Sequence, residues 1–412
     1  MQRSLCAFTF ASLALTSLSA PAVDGVPADN FEILQPITQT PGALSGETAA
    51  GRYYVPATVN TSRWGHLPSR QAEPVLTVPS GATVVIDTIS HEGILEDQGR
   101  DPVAWFGDHG VAREQVLSDA IALTDSDIKH DFKQDGPHVV TGPVAVADAE
   151  PGDVLKVEVL NLAPRVPYGV VSNRHGKGAL PGEYPITPAQ DGASAEHPER
   201  YGNVSIYTPI KKSDDGWVGL MSGPNGKPIE FPLDPFMGLM GVAPNTDESP
   251  SSVPPLAVGG NADINELGEA ATIYYPVQVP GALFYTGDGH FVQGDGEVAL
   301  TALEGSMRAT FRLTLLKAGS PDIPGGQINR LLGETDTHWV TVGLDPSLDE
   351  AMKDATRESI RFLHDYYGID QATALAYLSA ATDFEVSQVV DATKGVHGLI
   401  RKGDFAALSP TN

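Results

Sequence analysis

Between Gly281 and Glu304 the chain reads Gly-Ala-Leu-Phe-Tyr-Thr-Gly-Asp-Gly-His-Phe-Val-Gln-Gly-Asp-Gly-Glu-Val-Ala-Leu-Thr-Ala-Leu-Glu. Asp288, His290, Asp295 and Glu297 therefore stand among Gly287, Gly289, Gly294 and Gly296. Carboxylates and an imidazole are the donor types of a hard or borderline divalent cation such as Zn²⁺, Mn²⁺ or Ca²⁺. The interleaved glycines leave the backbone free to take positive φ and bend these side chains toward a common point. The spacing follows no zinc formula. A Gly-Asp-Gly unit is also a tight turn whose aspartate bonds its own backbone, and for Asp295 that reading weighs as much as a functional one. His290 and Glu297 are harder to explain that way.

The elements that must position these residues are strands. Residues 272–279 read as a strand entering the segment and 296–316 as strands leaving it. Upstream, 74–78 and 83–89 flank the turn Pro79-Ser80-Gly81, and 143–146 and 154–160 flank Glu150-Pro151-Gly152-Asp153, a composition suited to a type II turn. Both units read as hairpins of a sandwich or barrel half. His138 lies at the mouth of the second. The other polar residues between them, His91, Glu92, Asp97, Asp101, Asp108, His109, His130 and Asp131, are candidates of which most read as solvated surface, because charged groups on loops are mostly exposed. The apolar run 236–242 reads as a buried strand, and Val258-Gly259-Gly260-Asn261-Ala262-Asp263 sets an amide and a carboxylate directly after adjacent glycines.

The C-terminal stretch has helical periodicity instead. Leu348, Met352, Ala355, Leu363 and Tyr367 share one face, Asp349 and Glu350 come early, Arg357 and Arg361 later, and Gly368 is the stop. Asp370 caps a second helix through about Ala381, and 384–390 reads as a strand. The expected fold is mainly β (α+β): a β-sandwich or barrel-like body built from hairpins, with a short C-terminal helical segment.

At 412 residues the chain is long enough for one large or two medium domains. Its texture suggests a signal peptide at 1–22, an extended arm at 23–60 and an N-terminal β unit at 61–163. An irregular insertion at 164–230 and a C-terminal β unit with two helices at 231–412 follow, with 61–412 forming one integrated catalytic domain. The signal rests on Arg3, the apolar run Leu5 to Leu18 and the small-x-small site Ala20-Pro21-Ala22. It implies a secreted or periplasmic protein cleaved near Ala22, with no membrane contact in its mature form. Cys6, the only cysteine, lies within it, so the mature chain has no disulfide, thiolate ligand or cysteine nucleophile. A net charge of −26, with no offsetting basic and aromatic cluster, argues against nucleic acid as a partner.

Several ordered motifs then coincide. Gly259-Gly260-Asn261-Ala262-Asp263, the run 274–284, Gly-Asp-Gly-His at 287–290 and Gln-Gly-Asp-Gly-Glu-Val at 293–298 resemble the acetamidase/formamidase family. Residues 138–143, 150–153, 236–244, 388–391 and 394–397 extend the resemblance over most of the chain. Leu256-Ala257-Val258 departs from it, since family members more usually carry Gly-Pro-His there, and so do the insertion and the signal. The resemblance implies hydrolysis of the C–N bond of a short aliphatic amide, typically formamide or acetamide, to a carboxylic acid and ammonia. It also implies a mostly β fold, a bound divalent metal and a homo-oligomer. A mature chain without cysteine, without a Gly/Ser-rich run paired to a lysine and without a Gly-x-Ser-x-Gly elbow leaves water as the nucleophile of such an enzyme. A metal would activate that water while a carboxylate takes its proton. On this reading Asp263, Asp288 and His290 are metal ligands with His138 as a fourth, the metal being zinc first, with calcium or manganese as alternatives. Glu297 is the general base and Asn261 an oxyanion donor. Two other functions stay open: a secreted protein that binds a metal or small ligand without turnover, and a family enzyme acting on another C–N substrate such as a lactam or carbamate.

Overall fold

The computed structural model describes residues 31–44, 51–214 and 216–411. The signal peptide expected at 1–22 lies outside them. Two large open sheets make up the body. The first has ten strands and runs from Gly42–Ala43 and Arg52–Val55 through Ala82–Asp87, Met307–Leu316, Val154–Pro164 and Thr272–Pro276. It continues through Leu332–Glu334, His338–Asp345 and Lys394–Arg401 to Asp383–Gln388. The second has eleven strands and centres on Phe284–Val292, which pairs with Phe236–Val242, Val139–Val146 and Leu303–Glu304. Strands from both halves of the chain interleave: Met307–Leu316 sits between Ala82–Asp87 and Val154–Pro164.

The core is the layer between the sheets. Val84, Ile86, Val157, Phe311 and Val342 of the first sheet pack against Val144, Met240, Val242 and Phe284 of the second. The Phe284 and Phe311 rings meet edge to face at 5.3 Å. Burying each such side chain contributes about 1.5–3 kcal/mol.

The strands flanking Pro79-Ser80-Gly81 and Glu150-Pro151-Gly152-Asp153 form as expected, but neither pair is a hairpin. Leu76–Val78 pairs with Val139–Val146 in the second sheet, whereas Ala82–Asp87 pairs with Met307–Leu316 and Arg52–Val55 in the first. Val139–Val146 and Val154–Pro164 divide in the same way. Both turns are corners that carry the chain from one sheet to the other. Gly81 (φ 83°) and Gly152 (φ 98°) supply the left-handed backbone that a corner and a hairpin need alike, so composition does not separate the two.

The stretch 164–230 is not irregular throughout. Tyr168–Asn173, Val204–Ser213, Gly216–Ser222 and Pro228–Pro232 are strands that extend the second sheet. The irregular part is 174–203, with one short turn of helix at Pro198–Tyr201. The alternation Val204, Ile206, Thr208, Ile210 carried the strand signal, which the surrounding Pro and Gly obscured.

The helices Leu348–Tyr367 and Gln371–Ala381 pack on the first sheet, and Asp370 Oδ1 accepts from the amides of Ala372 and Thr373. The buried face of the long helix differs from the apolar stripe expected. Ala351, Ala355, Ser359, Phe362 and Leu363 face inward, while Leu348 and Met352 are exposed. Small residues face the sheet because the helix lies against bare backbone: a Cβ on Gly343 would come within 2.1 Å of the Ala355 nitrogen.

Candidate active site

Phe284–Val292 brings the site together because three strands close on it. Gly287 and Gly289 are not hinges; they lie within the strand, where a Cβ would stand 2.5 Å from the carbonyl oxygens of Val139 and Gly305 respectively. They let neighbouring backbone approach. The left-handed backbone falls instead on the acids themselves: Asp263 (φ 52°), Asp288 (φ 55°), Glu297 (φ 46°) and Asp391 (φ 59°). An L-residue there costs roughly 1–2 kcal/mol, and strain of this kind persists where the surroundings hold a side chain in a functional direction.

Asp288 lies at the centre of the buried charges. His290 Nε2 is 3.1 Å from its Oδ2, His91 Nδ1 is 3.4 Å from its Oδ1 and His138 Nε2 is 3.7 Å from its Oδ2. Glu304, directly opposite His290 in strand register, places Oε1 3.2 Å from His290 Nε2. His138 precedes Val139–Val146, and its Nδ1 contacts Ser252 Oγ at 3.0 Å. His91 reaches Glu92 Oε1 at 3.2 Å, and Arg174 holds Glu92 at 2.9 Å and Asp97 at 2.7 Å. Asp263, His290 and Glu297 form a neighbouring group with ligand atoms within 4.8 Å of one another. Next to them, Asn261 Nδ2 donates to Asp391 Oδ2 at 2.8 Å.

All six residues predicted from the sequence are buried in this region. Asp263, Asp288, His290 and His138 do not form a single ligand set, however. The potential ligands fall into three overlapping triads: His91–His138–Asp288, Asp288–His290–Glu304 and Asp263–His290–Glu297. His91, Glu92 and Asp97, read from the sequence as surface, are buried, as are the unanticipated Glu304 and Arg174, and the half-buried Asp391 lies beside them. Adjacent imidazole and carboxylate just past the end of a strand was the available signal for His91 and Glu92. Asp295 is exposed, 3.3 Å from Asn265 Nδ2.

Burial, reinforced by the crowding of carboxylates, dominates the electrostatics. Burial, then Asp391, raises Asp263 well above the usual carboxylate range; burial, then Asp263 and Asp391, does the same to Glu297. Burial and Asp288 push Glu304 up to about 7, and the same two causes push Asp391 up to about 7. Asp288 goes the other way: burial opposes its ionisation, but His138 and His290 hold it well below the usual range. Burial would depress His91 too, yet Asp288 and Glu92 raise it to about 10. His138, lowered by burial and by its imidazole neighbours to about 4, is neutral near pH 7 and keeps a lone pair for a ligand.

Residues 119–250 and 246–400 match the profile of the Acetamidase/Formamidase family. The chain belongs to that family. The matched residues include every predicted site residue, together with Glu304 and Asp391. An acetamidase of Mycolicibacterium smegmatis is 27% identical over 262 residues, covering 52% of this chain and 63% of the relative. A putative formamidase of Schizosaccharomyces pombe is 27% identical over 237 residues, covering 49% and 57%. The chain thus matches about three fifths of the length of these curated relatives. The crystal structure of an acetamidase from Bacillus halodurans superposes with a TM-score of 0.64 at 24% identity, covering 86% of this chain and 99% of that one, a likeness of fold.

The site of this family member suits a divalent cation. Among the described residues, Asp263 Oδ1 and Oδ2, Asp288 Oδ1, Glu297 Oε2 and Glu304 Oε2 are buried without a hydrogen-bond partner. Both nitrogens of His91 are too, because their short approaches to Asp288 and Glu92 lack hydrogen-bond angles. Buried oxygens and imidazole nitrogens left unsatisfied amid excess negative charge are the donor set a cation completes. A cavity of about 330 Å³ opens beside them, with His91, His138, Asp288, Glu297, Asn261 and Arg174 on its wall. His91–His138–Asp288 is the one triad with every member on that wall.

Proposed function

We propose that the protein hydrolyses the C–N bond of short aliphatic amides, of the formamide and acetamide type, to a carboxylate and ammonia. The observation that carries the proposal is the family match through the residues around the cavity, where unpaired Glu297 Oε2 and the Asn261 amide lie on the same wall as Asp288 and His138. The names of the two curated relatives, acetamidase and putative formamidase, support the same substrate class.

A divalent cation, zinc by donor type, held by Asp288, His138 and a His91 whose proton it would displace, would polarise the amide carbonyl and acidify a water at the cavity wall. Glu297 takes the proton from that water as its oxygen bonds to the carbonyl carbon, and returns a proton to nitrogen as the C–N bond breaks. Glu297 must be ionised to begin this, and a cation held at the neighbouring triad would offset the burial and the acids that otherwise keep it protonated. Asn261 has two N–H donors; one is held by Asp391, and the other is free for the oxygen that becomes negative. Arg174 pins Glu92, which abuts His91, so the irregular part of 164–230 helps hold the triad in place.

We further propose that the enzyme works outside the cytoplasm as a homo-oligomer, with export resting on the sequence of residues 1–22. The hydrolytic reading is tested by incubating the purified protein with a panel of short amides and measuring ammonia. Release that depends on Glu297 supports it. No release from any amide overturns it and leaves a ligand-binding role.

A further inference from the structure

On the far side of the turn that carries Glu297, a second group of ligand-type side chains gathers from separate segments. Glu266, Glu385 and His397 bring their ligand atoms within 4.8 Å of one another, and the Asp295 carboxyl adjoins Glu385. His397 lies directly opposite Glu385 in the pairing of Asp383–Gln388 with Lys394–Arg401.

His397 is 0% exposed, and its Nδ1 contacts Ser387 Oγ at 2.8 Å, which orients the ring so that Nε2 faces the carboxylates. A hydrogen bond at the far nitrogen is the usual way a ligating imidazole is held. Nε2 is 3.0 Å from Glu266 Oε2 and 3.7 Å from Glu385 Oε2. Despite the short distance, neither Nε2 nor Glu266 Oε2 makes a hydrogen bond. Two atoms each bound to one zinc at its usual 2.0–2.2 Å, at right to tetrahedral angles, stand roughly 2.8–3.6 Å apart. The nitrogen and oxygen are thus spaced as two ligands of one ion and angled poorly as donor and acceptor. Glu266 and Glu385 keep partial exposure, 21% and 35% of their side chains, which leaves solvent access for an ion and a water ligand.

We propose that Glu266, Glu385 and His397, with Asp295 beside them, form a second divalent-cation site of zinc type, distinct from the cavity and structural in role. It fastens the turn before Glu297 to the C-terminal strands. Hydrogen bonds already follow that route: Gly296 N donates to Ser387 O at 3.2 Å, Val389 N to Gly296 O at 3.0 Å, and the side-chain Gln293 Nε2 to Ser387 O at 2.9 Å. The ion adds a link from Glu266, on the short helical turn Asn265–Leu267, to both C-terminal strands.

The test is zinc stoichiometry. Full-length protein is stripped with chelator, reloaded with zinc, freed of excess by gel filtration and assayed for bound metal. The double variant Glu266→Gln/Glu385→Gln and, separately, His397→Ala should each hold one equivalent of zinc fewer than wild type, while Asp288→Asn retains this site. Equal zinc in wild type and both variants overturns the proposal in favour of a simple imidazolium–carboxylate ion pair. Should the variants fail to fold, zinc-edge anomalous scattering from wild-type crystals decides. A peak between His397 Nε2 and Glu266 supports the site, and no peak there overturns it.

Discussion

Gly238→Ala tests how tightly the site is packed. Gly238 has no left-handed φ, so its backbone accepts alanine, yet the new methyl would stand 2.4 Å from His290 Cε1, 2.7 Å from His290 Nε2 and 2.7 Å from Asp263 Oδ1. Ordinary carbon contacts are about 3.5–4.0 Å, so one partner must move by roughly 1 Å. Neither side chain has solvent to move into. His290 is fully buried between Phe236, 4.9 Å away ring to ring, and Glu304, and the amides of Ala262 and Asp263 both donate to Gly238 O. Overpacking of this kind costs about 1–3 kcal/mol, and a displacement near 1 Å in a catalytic array costs about 100-fold in rate. The assay is kcat for ammonia release together with thermal unfolding, with Gly294→Ala as control, because a Cβ at Gly294 meets nothing within 4 Å. The control should match wild type. A Gly238→Ala protein with wild-type kcat and an unshifted Tm refutes the packing argument.

Glu297→Gln keeps the shape of the side chain but removes the proton acceptor, so kcat should fall by about 10²–10⁴-fold with bound metal unchanged, as read by ammonia release and metal analysis. In chelator-treated protein, Glu304 and Asp391 have pKa values raised to about 7, so the stability they contribute is complete below the ordinary carboxylate range and is lost as pH rises through 7. Tm measured from pH 5 to pH 8 should therefore decline without metal, and added zinc should flatten the decline. Arg174→Ala strands the buried Glu92 carboxylate and should cost about 3–5 kcal/mol at pH 7 in denaturant unfolding. Arg174 and His91 hold Glu92 below the ordinary range, so its contribution in wild type is present above about pH 4.5 and lost in stronger acid. The variant's deficit should accordingly shrink as pH is lowered toward 5 and Glu92 takes up a proton. Gly343→Ala drives a methyl into helix backbone and should lower stability by about 3 kcal/mol without changing KM, since the contact is remote from the cavity.

What the sequence made legible follows from how local each signal was. The two C-terminal helices were readable almost to the residue because their caps, Asp370 and Gly368, and their periodicity lie within the elements themselves. The burial of Phe236–Val242 was equally local. Strand partners were not, because Gly81 and Gly152 bend the chain without specifying whether it returns to its own sheet. The polar residues divide in the same way. Glycine-rich context marked Asp288, His290 and Glu297, whereas the local His91-Glu92 pair was a weaker signal, and long-range pairing sets Glu304 opposite His290 and folds His91 over Asp288. Arg174 was visible as a cation in a Pro/Gly-rich stretch, but only the fold shows that it neutralises Glu92.

The most direct test of the account is ammonia release from short aliphatic amides by the purified protein, measured as isolated, after chelation and after zinc is restored. Hydrolysis of at least one such amide, lost on chelation and recovered with zinc, is the predicted result. Full turnover by protein shown to be free of metal would contradict the activated-water mechanism, and no turnover of any amide under any of the three conditions would contradict the assignment of function itself.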